Sequence, residues 1–388
     1  MDDAGRPYAW VSEALADLDA RHLRREIRDL DLKGVHGRLA GRPVLVFSSN
    51  DYLSLSAHPQ VLAAMRAAAS AGSTGSRLLS GSSSELSALE RELAGFLDQE
   101  AALVFSSGYL AATGAIPALA HGADLVLSDQ RNHACLIDGI RLAGLTKRIY
   151  QAGSVPETRA GQTVLLVTEA VYGMDGVAAP LDGLGDSAVR QGWRTFVDDA
   201  HGIGMVGIAG RGHGTAFAKR THGVVMGTLS KSLGALGGFV AGPRAAIEYL
   251  VTAARTFVFD TALPPAVIRA ARAALELVPE MEQERRWVAS LASRLRNRLA
   301  SSDVSIGGDA AAAPHLLFIN IGDAGQALAF GEALLARGIF APAIRPPTVP
   351  DGRSRIRISL TAGHSEDDVD ALAVAIEDVR AALLTARH

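Results

Sequence analysis

The length and composition of the chain are those of an ordinary globular protein. Its 388 residues exceed the size at which one hydrophobic core usually stops growing, so we expect two domains. Hydrophobic residues make up 48% of the chain and charged residues 20%, which excludes disordered and fibrous classes. The net charge is −3 and no stripe of lysine and arginine is present, so nucleic acid is not an expected partner.

Cysteine usage and the start of the chain predict a cytoplasmic protein. Cys135 is the only cysteine, which excludes an internal disulfide and a multi-cysteine metal site, and we expect it to be a small buried hydrophobe. Residues 1–5 lack the positive region and apolar core of a secretory signal. The apolar stretch at 110–127 is interrupted by Pro117 and Asp124, so we do not expect it to span a membrane.

In chain order, the sequence begins with a helical arm at residues 10–30 that ends in a cluster of arginines. From residue 49 to 278, short apolar runs alternate with helical patterns, which is typical of a mainly parallel sheet covered by helices. A charge-rich helical stretch at 280–299 then precedes two further apolar runs. The expected strands lie at 102–105, 125–127, 163–167, 194–197, 223–227, 316–321 and 355–359.

These patterns divide the chain into three parts. We predict an N-terminal arm at 1–48, a large α/β domain at 49–282 and a smaller α+β domain at 283–388. The large domain holds the alternating strands and helices, so it is where an open parallel sheet would place its chemistry.

Two residues that follow predicted strands carry the strongest chemical signal. Asp198 follows the strand at 194–197, and Lys231 comes just after the strand at 223–227. A lysine amine forms a Schiff base when a cofactor aldehyde is held against it, and a carboxylate keeps the pyridine nitrogen of such a cofactor protonated. The pair therefore indicates pyridoxal 5'-phosphate (PLP). Taken singly, Lys231 is as readily a surface lysine and Asp198 a turn cap.

A second motif indicates a different chemistry. Residues 202–207 read GIGMVG and follow a predicted strand, which matches the G-x-G-x-x-G fingerprint of dinucleotide-binding enzymes. That fingerprint opens a helix at its third glycine, whereas residues 208–214, IAGRGHG, lack a helical period. We therefore favour a flexible loop after Asp198. An NAD-dependent oxidoreductase is the alternative from another class of enzyme.

The segment at 106–110, SSGYL, is the better candidate for a phosphate site. An apolar strand ends there in small residues and a helix begins. Backbone N–H groups at a helix N-terminus bind anions, and Gly108 permits a close approach. On this segment alone an ordinary strand-to-helix turn is the more frequent outcome. Thr228 adds a hydroxyl at the same expected sheet edge.

Taken together, several segments resemble the α-oxoamine synthases, in the same order from about residue 20 to the C-terminus. This resemblance implies a PLP-dependent acyltransferase of fold type I that condenses an amino acid with an acyl thioester. The segment at 344–350 is most similar to members that join L-alanine to pimeloyl-CoA, or its carrier-protein thioester, to give 8-amino-7-oxononanoate in biotin biosynthesis. The segments are FSSNDYL at 47–53, GSRLLSG at 75–81, FSSGY at 105–109, NHA at 132–134, MDG at 174–176, VDDAHG at 197–202, Lys231, and RPPTVP at 345–350.

The resemblance implies a role for each residue around the cofactor. Lys231 would hold PLP as a Schiff base and then remove the α-proton of the amino acid, and Asp198 would face the pyridine nitrogen. His133 would stack on the ring, with a satisfied core histidine as the alternative, and His201 would hydrogen-bond the ring hydroxyl. Thr261 would reach a phosphate across a subunit interface, which implies a homodimer. The other expected cofactor contacts are Gly108, Tyr109, Gly173 and Thr228.

The resemblance also implies the substrate contacts. Arg357 would grip the carboxylate of the amino acid, for which the bidentate guanidinium is suited. Arg24 would reach the acyl substrate, although Arg25 fits that role equally and a solvated helix face is the alternative. The further residues expected at the substrate site are Asn50, His133 and Thr348.

The chain departs from the family pattern at three positions. Gly173 stands where a serine is usual, so a hydroxyl contact is absent and we expect Gly173→Ser to tighten PLP binding. Leu86 replaces a histidine and Ala112 an asparagine. These changes leave open another amino acid or acyl thioester, as in glycine C-acetyltransferase.

Overall fold

The fold is described by a computed structural model that covers residues 7–151, 153–154 and 156–385. The chain forms two compact units. The sheet unit comprises Asn50–Ala289 and Asp309–His315. The terminal unit comprises the chain up to Ser49, Ser290–Gly308 and the chain from Leu316 onward. This division differs from the three predicted parts, because the N-terminal arm clusters with the C-terminal segment. Residues 1–5 lie outside the described residues.

The helices of the described chain alternate with strands in the sheet unit and are fewer in the terminal unit. They are α1 (Trp10–Ala20), α2 (Pro59–Arg66), α3 (Ser84–Phe96), α4 (Gly108–Leu119), α5 (Ala134–Ala143), α6 (Leu181–Gln191), α7 (Gly214–Thr221), α8 (Arg244–Ala253), α9 (Arg255–Val258), α10 (Pro265–Leu277), α11 (Glu282–Arg298), α12 (Ala324–Ala336) and α13 (Glu366–Thr385).

The strands are mostly short. They are β1 (Leu30–Lys33), β2 (His36–Leu39), β3 (Arg42–Val46), β4 (Ala101–Phe105), β5 (Leu125–Asp129), β6 (Lys147–Tyr150), β7 (Val164–Glu169), β8 (Val171–Tyr172), β9 (Val177–Ala178), β10 (Arg194–Asp198), β11 (Val224–Thr228), β12 (Gly238–Gly242), β13 (Ile306–Gly307), β14 (Leu316–Gly322), β15 (Ile339–Phe340), β16 (Ala343–Ile344) and β17 (Ser354–Ser359).

The sheet unit is built on a seven-stranded sheet with the order β4-β12-β11-β10-β7-β5-β6. Pairing is parallel from β11 to β6, and β12 runs antiparallel to both of its neighbours. The predicted mainly parallel sheet is therefore confirmed. Sequence analysis missed β12, because its short apolar centre lies between two glycines. Strands β5, β7, β11 and β12 are buried throughout, as expected for a sheet with both faces covered.

The parallel register brings the functional side chains to one edge of the sheet. Strands β4, β5, β7, β10 and β11 share one direction, so their carboxyl ends lie at the same edge. Four of these strands end in a polar residue, namely Asp129, Glu169, Asp198 and Thr228. The pairing β7–β10 places Glu169 directly beside Asp198.

The terminal unit contains two four-stranded sheets, with the orders β1-β2-β3-β15 and β13-β14-β17-β16. Helix α1 ends at Ala20, ten residues before the end of the predicted helix, because the chain turns at His22, whose φ is +54°. Among the described residues, no helix combines the length and hydropathy needed to cross a bilayer.

Candidate active site

Asp198 provides a fixed, buried carboxylate at the end of β10. Its side chain is buried, and its Oδ1 accepts a hydrogen bond from the Ala200 amide at 2.9 Å. The Cys135 thiol lies 3.9 Å from Oδ2. Cys135 is buried, and burial raises the pKa of its thiol, which fits the predicted inert side chain. The Asp198 carboxyl group is thus held by the residues just after β10 and by the first turn of α5.

His133 lies at the N-terminus of α5 with its ring exposed. Its Nδ1 accepts a hydrogen bond from the Cys135 amide at 3.3 Å and lies 3.0 Å from Cys135 Sγ. These contacts fix one edge of the imidazole and leave a ring face accessible. The geometry suits a ring that stacks on a planar ligand rather than a satisfied core histidine.

Lys231 and His201 contact each other. The Nζ atom of Lys231 lies 2.9 Å from Nε2 of His201, and Nδ1 of His201 lies 2.8 Å from the Tyr52 hydroxyl. That hydroxyl donates to Oδ1 of Asn50 at 2.9 Å. The structure therefore brings together the predicted residues Lys231, His201 and Asn50, and adds Tyr52, which sequence reasoning missed although it lies in the FSSNDYL segment.

The predicted phosphate site is a helix N-terminus packed against two strands. The Ser107 side chain caps α4 by accepting from the Leu110 amide at 3.1 Å. A Cβ on Gly108 would lie 3.1 Å from the end of the Met226 side chain, so the helix start packs closely against β11. The Thr228 hydroxyl donates to a backbone oxygen at 2.9 Å and lies 2.8 Å from the Ser230 hydroxyl. Backbone N–H groups and hydroxyls thus meet where an anion binds well.

Tyr109 and Thr261 lie at the outer side of this region. Tyr109 is half-exposed and its hydroxyl donates to the Asp138 carboxylate, which raises the pKa of the Tyr109 phenol. Thr261 is exposed and pairs with Ser76 through an isolated bridge. Both side chains are therefore available to a ligand or a second subunit.

Glu169 is a second buried carboxyl that sequence reasoning missed. It is 4% exposed and lies beside Asp198 in the sheet register. Burial, and then the neighbouring Asp198 charge, raise the pKa of Glu169 well above its usual value. The Gly173 amide points to its Oε2 at 3.5 Å. The signal in the sequence was an acidic residue that ends a mostly apolar strand.

The glycine-rich loop after β10 folds around Asp199, and its third glycine is followed by a single 3-10 turn at Ile208–Gly210 and not by an α-helix. Asp199 is fully buried, and its Oδ2 accepts from the Gly214 amide at 2.6 Å. A Cβ on Gly202 or Gly212 would lie 2.0 Å from a carboxylate oxygen of Asp199. The next α-helix begins only at Gly214. The glycines of GIGMVG thus have a packing role, which argues against the dinucleotide alternative.

The cofactor that these groups fit is PLP. The buried Asp198 carboxyl would face the pyridine nitrogen, the α4 N-terminus would supply donors for a phosphate, and Lys231 would supply the amine. With the mainly parallel seven-stranded sheet, they define a PLP-dependent transferase of fold type I.

Comparisons with known proteins give the family. The aminotransferase class I and II family matches residues 42–376. The 8-amino-7-oxononanoate synthase 2 of Bacillus subtilis is 39% identical, over 94% of this chain and 95% of its own. The 8-amino-7-oxononanoate synthase of Methylobacterium nodulans is 42% identical, over 96% and 97%. The chain therefore belongs to the aminotransferase class I and II family and, within it, to the α-oxoamine synthases.

Solved structures agree with this assignment. The serine palmitoyltransferase of Sphingomonas wittichii superposes with a TM-score of 0.89 at 29% identity, covering 98% of this chain and 99% of its own. The 8-amino-7-oxononanoate synthase of Francisella tularensis gives 0.74 at 25% identity, covering 88% and 99%. A serine palmitoyltransferase solved with PLP gives 0.90 at 26% identity, covering 98% and 99%.

The terminal unit carries the other predicted substrate residues. Arg24 is exposed and pairs with Asp19 at 2.8 Å, whereas the Arg25 guanidinium lies 3.3 Å from the Thr348 hydroxyl. Of the two arginines that sequence reasoning left open, Arg25 is therefore the one beside Thr348. Arg357, on β17, is buried and donates to Ser359 at 3.2 Å.

Arg25 also lines a cavity of about 640 Å³ within this unit, and its lining includes Arg24, Arg28 and Arg345. Burial, and then the charges of Arg25 and Arg28, lower the pKa of Arg345. Acidic residues line the cavity too, and Asp19 and Glu332 pair with Arg24 and Arg28. An anionic ligand beside Arg25 and Arg345 would offset the repulsion between those two guanidinium groups.

Gly173 corrects one prediction. A Cβ at this position would lie 2.1 Å from His201 Nε2 and within 2.8 Å of two further ring atoms. A serine there would require the imidazole that contacts Lys231 to shift, so the geometry argues against the expected gain from an added hydroxyl. The other two departures, Leu86 and Ala112, are fully packed core residues.

We expect Gly173→Ser to bind PLP about ten-fold more weakly than the parent, because overpacking against a held ring costs on the order of 1–3 kcal/mol. Dialysis against a PLP scavenger measures the loss. Gly95→Ser is the matched control, since a Cβ at Gly95 meets no atom within 4 Å. Tighter retention of PLP by Gly173→Ser would contradict the steric account.

The pH dependence of stability is expected to change in Asp199→Asn. Burial raises the pKa of Asp199 from 3.8 to about 8, so between these values the folded chain holds a proton that the unfolded chain releases. Stability therefore falls as pH rises through this window. The asparagine variant has no titrating group there, and its melting temperature should fall less between about pH 5 and about pH 8. Glu169 titrates in the same direction, so some slope persists; identical slopes would refute the assignment to Asp199.

Proposed function

We propose that this protein condenses L-alanine with pimeloyl-CoA, or the pimeloyl carrier-protein thioester, with loss of carbon dioxide, to give 8-amino-7-oxononanoate for biotin biosynthesis. The observation that carries the proposal is the similarity, over nearly the whole chain, to synthases named for that product. An α-oxoamine synthase with another amino acid or thioester is the second candidate, because the S. wittichii serine palmitoyltransferase shares the fold at 29% identity.

The sheet unit carries the proton chemistry. Bound PLP supplies an aldehyde that captures amines and a ring that withdraws electrons from the α-carbon. Lys231 Nζ would hold that aldehyde and, once the amino group of alanine has displaced it, the freed amine would take the α-proton. His201 Nε2, 2.9 Å away, keeps this amine in place. Asp198 would face the pyridine nitrogen, and His133 would cover the ring face.

The terminal unit carries the recognition of anionic groups. We assign the alanine carboxylate to Arg357, whose buried guanidinium is suited to a bidentate contact. We assign the far carboxylate of the pimeloyl chain to the cavity lined by Arg25 and Arg345. Burial and neighbouring guanidinium charges lower the pKa of Arg345, and an incoming carboxylate would offset the repulsion between those charges.

The proposed assembly is a homodimer in which Thr261 serves the partner's cofactor site. Thr261 is exposed, and the segment that contains it pairs with Ser76 next to Leu78 and Leu79, which are 52% and 84% exposed. Phe259, two residues away, is 72% exposed. Apolar side chains so close to a predicted phosphate contact are typical of a surface that a second subunit covers.

The substrate assignment is tested with a panel of amino acids and thioesters. Alanine, glycine and serine are each supplied with short-chain, pimeloyl and long-chain acyl thioesters, and the products are identified by mass. We expect the highest kcat/KM for alanine with the pimeloyl thioester. A preference for another pair of amino acid and thioester would leave the family assignment intact and would overturn the proposed substrates.

Lys231→Ala is expected to abolish turnover while the protein folds, because the amine that holds PLP and the base are lost together. Borohydride should fix PLP to the peptide that contains Lys231 in the parent and to no lysine in the variant. Lys219→Ala, which removes a surface lysine paired with Asp98, is the control and should keep full activity. Substantial synthase activity of Lys231→Ala would overturn the assignment.

Arg25→Ala should raise the KM for the pimeloyl thioester about ten-fold or more, since a charge-assisted hydrogen bond contributes roughly 1.5–3 kcal/mol. Arg24→Ala is the control, because it also removes one positive charge. The Arg24 guanidinium pairs with Asp19, so its loss should change KM by less than about two-fold. An acyl thioester of similar length without the terminal carboxylate should not distinguish the variants. Equal effects of the two substitutions on KM would contradict this placement.

A further inference from the structure

We propose that Tyr52 is a positioning residue that fixes the tautomer of His201 and thereby makes His201 Nε2 the hydrogen-bond acceptor for Lys231 Nζ. The consequence for the cofactor rests on the proposed function, because it uses the PLP-holding role of Lys231. The tautomer itself is a property of the ligand-free chain.

The four residues concerned form a continuous chain of hydrogen bonds within the sheet unit. Asn50 Oδ1 lies 2.9 Å from the Tyr52 hydroxyl, which lies 2.8 Å from His201 Nδ1. On the other side of the imidazole, Nε2 lies 2.9 Å from Lys231 Nζ. Tyr52 has no exposed surface and His201 is 5% exposed, so water does not compete freely for these contacts.

The Asn50 amide oxygen sets the direction of donation along the whole series of hydrogen bonds. An amide oxygen only accepts, so the Tyr52 hydroxyl gives its proton to Asn50. The Tyr52 oxygen then accepts from His201, which requires the proton on Nδ1. A neutral imidazole has one N–H, so Nε2 carries a lone pair and accepts from Lys231. The opposite tautomer would direct an N–H at the lysine amine.

Neighbouring residues hold the His201 imidazole in the position that lets it contact Lys231. His315 Nε2 lies 2.9 Å from the His201 carbonyl oxygen, and the His315 ring packs edge-on against Tyr52 with centroids 4.4 Å apart. On the remaining side, Gly173 leaves no space between the backbone and the ring, because a Cβ would lie 2.1 Å from Nε2. The ring position is therefore set by packing, and the proton position is set by Tyr52.

Nitrogen NMR of the ligand-free protein, labelled at histidine, tests the tautomer directly. The His201 signals are identified by their loss in His201→Gln, at a pH of about 8 where histidine is neutral. We expect a protonated Nδ1 and a bare Nε2 in the parent, and a mixture of tautomers in Tyr52→Phe. A parent protonated on Nε2, or an unchanged pattern in Tyr52→Phe, would overturn the proposal.

Two variants make this measurement specific. Tyr172→Phe removes another buried hydroxyl, which donates to Asp129 at 2.6 Å, and should leave the His201 pattern as in the parent. Asn50→Asp keeps an acceptor for Tyr52 and should preserve the tautomer, whereas Asn50→Ala should give a mixture of the two tautomers. Asn50→Ala also tests the proposal from the other end if Tyr52→Phe fails to fold.

The consequence for Lys231 is tested by PLP binding. We expect the Kd for PLP to rise about five-fold in Tyr52→Phe and to stay at the parent value in Tyr172→Phe. An unchanged Kd in Tyr52→Phe would refute the link to Lys231. If PLP did not attach to Lys231 in the parent, the proposed function would fail while the tautomer result stood, so the two failures are distinguishable.

Discussion

The parallel pairing of β7, β10 and β11 is the constraint on which the chemistry of this protein depends. A parallel sheet aligns the carboxyl ends of its strands, and a one-residue shift of register turns each side chain to the other face. The observed register places Glu169 beside Asp198 and Asp198 beside Met226, two residues before Thr228. Residues far apart in sequence thereby share one sheet edge, and the loops that follow supply Lys231 and His201.

This edge concentrates buried charge, which opposes folding. Glu169, Asp198 and Asp199 are all nearly inaccessible, and burial raises the pKa of Glu169 and Asp199. The structure offsets the cost with backbone N–H groups, such as the Gly214 amide that binds Asp199 at 2.6 Å. In the proposed function, the buried Asp198 carboxyl faces the cofactor nitrogen.

Glycine is used here where close packing demands it. Gly202 and Gly212 fold around the Asp199 carboxylate, Gly108 packs against Met226, and Gly173 makes room for the His201 ring. In the last case the chain lacks the serine that its family commonly has. The His201 imidazole occupies the space that a side chain at position 173 would need. The absence of a serine hydroxyl there therefore goes together with the position of His201.

The sequence by itself determined the class of fold, because alternating apolar runs and helical patterns reflect local propensity and burial that each segment carries alone. It also predicted the roles of Lys231 and Asp198, since such a pair of residues after two successive strands is rare. Only the tertiary structure showed that Arg25, and not Arg24, lies beside Thr348, because that contact involves a loop more than three hundred residues away. Glu169 and Tyr52 were missed for the same reason: a buried carboxyl and a tyrosine gain meaning from partners brought by strand register and packing. Proximity between distant segments is a property of the folded chain, and no local pattern encodes it.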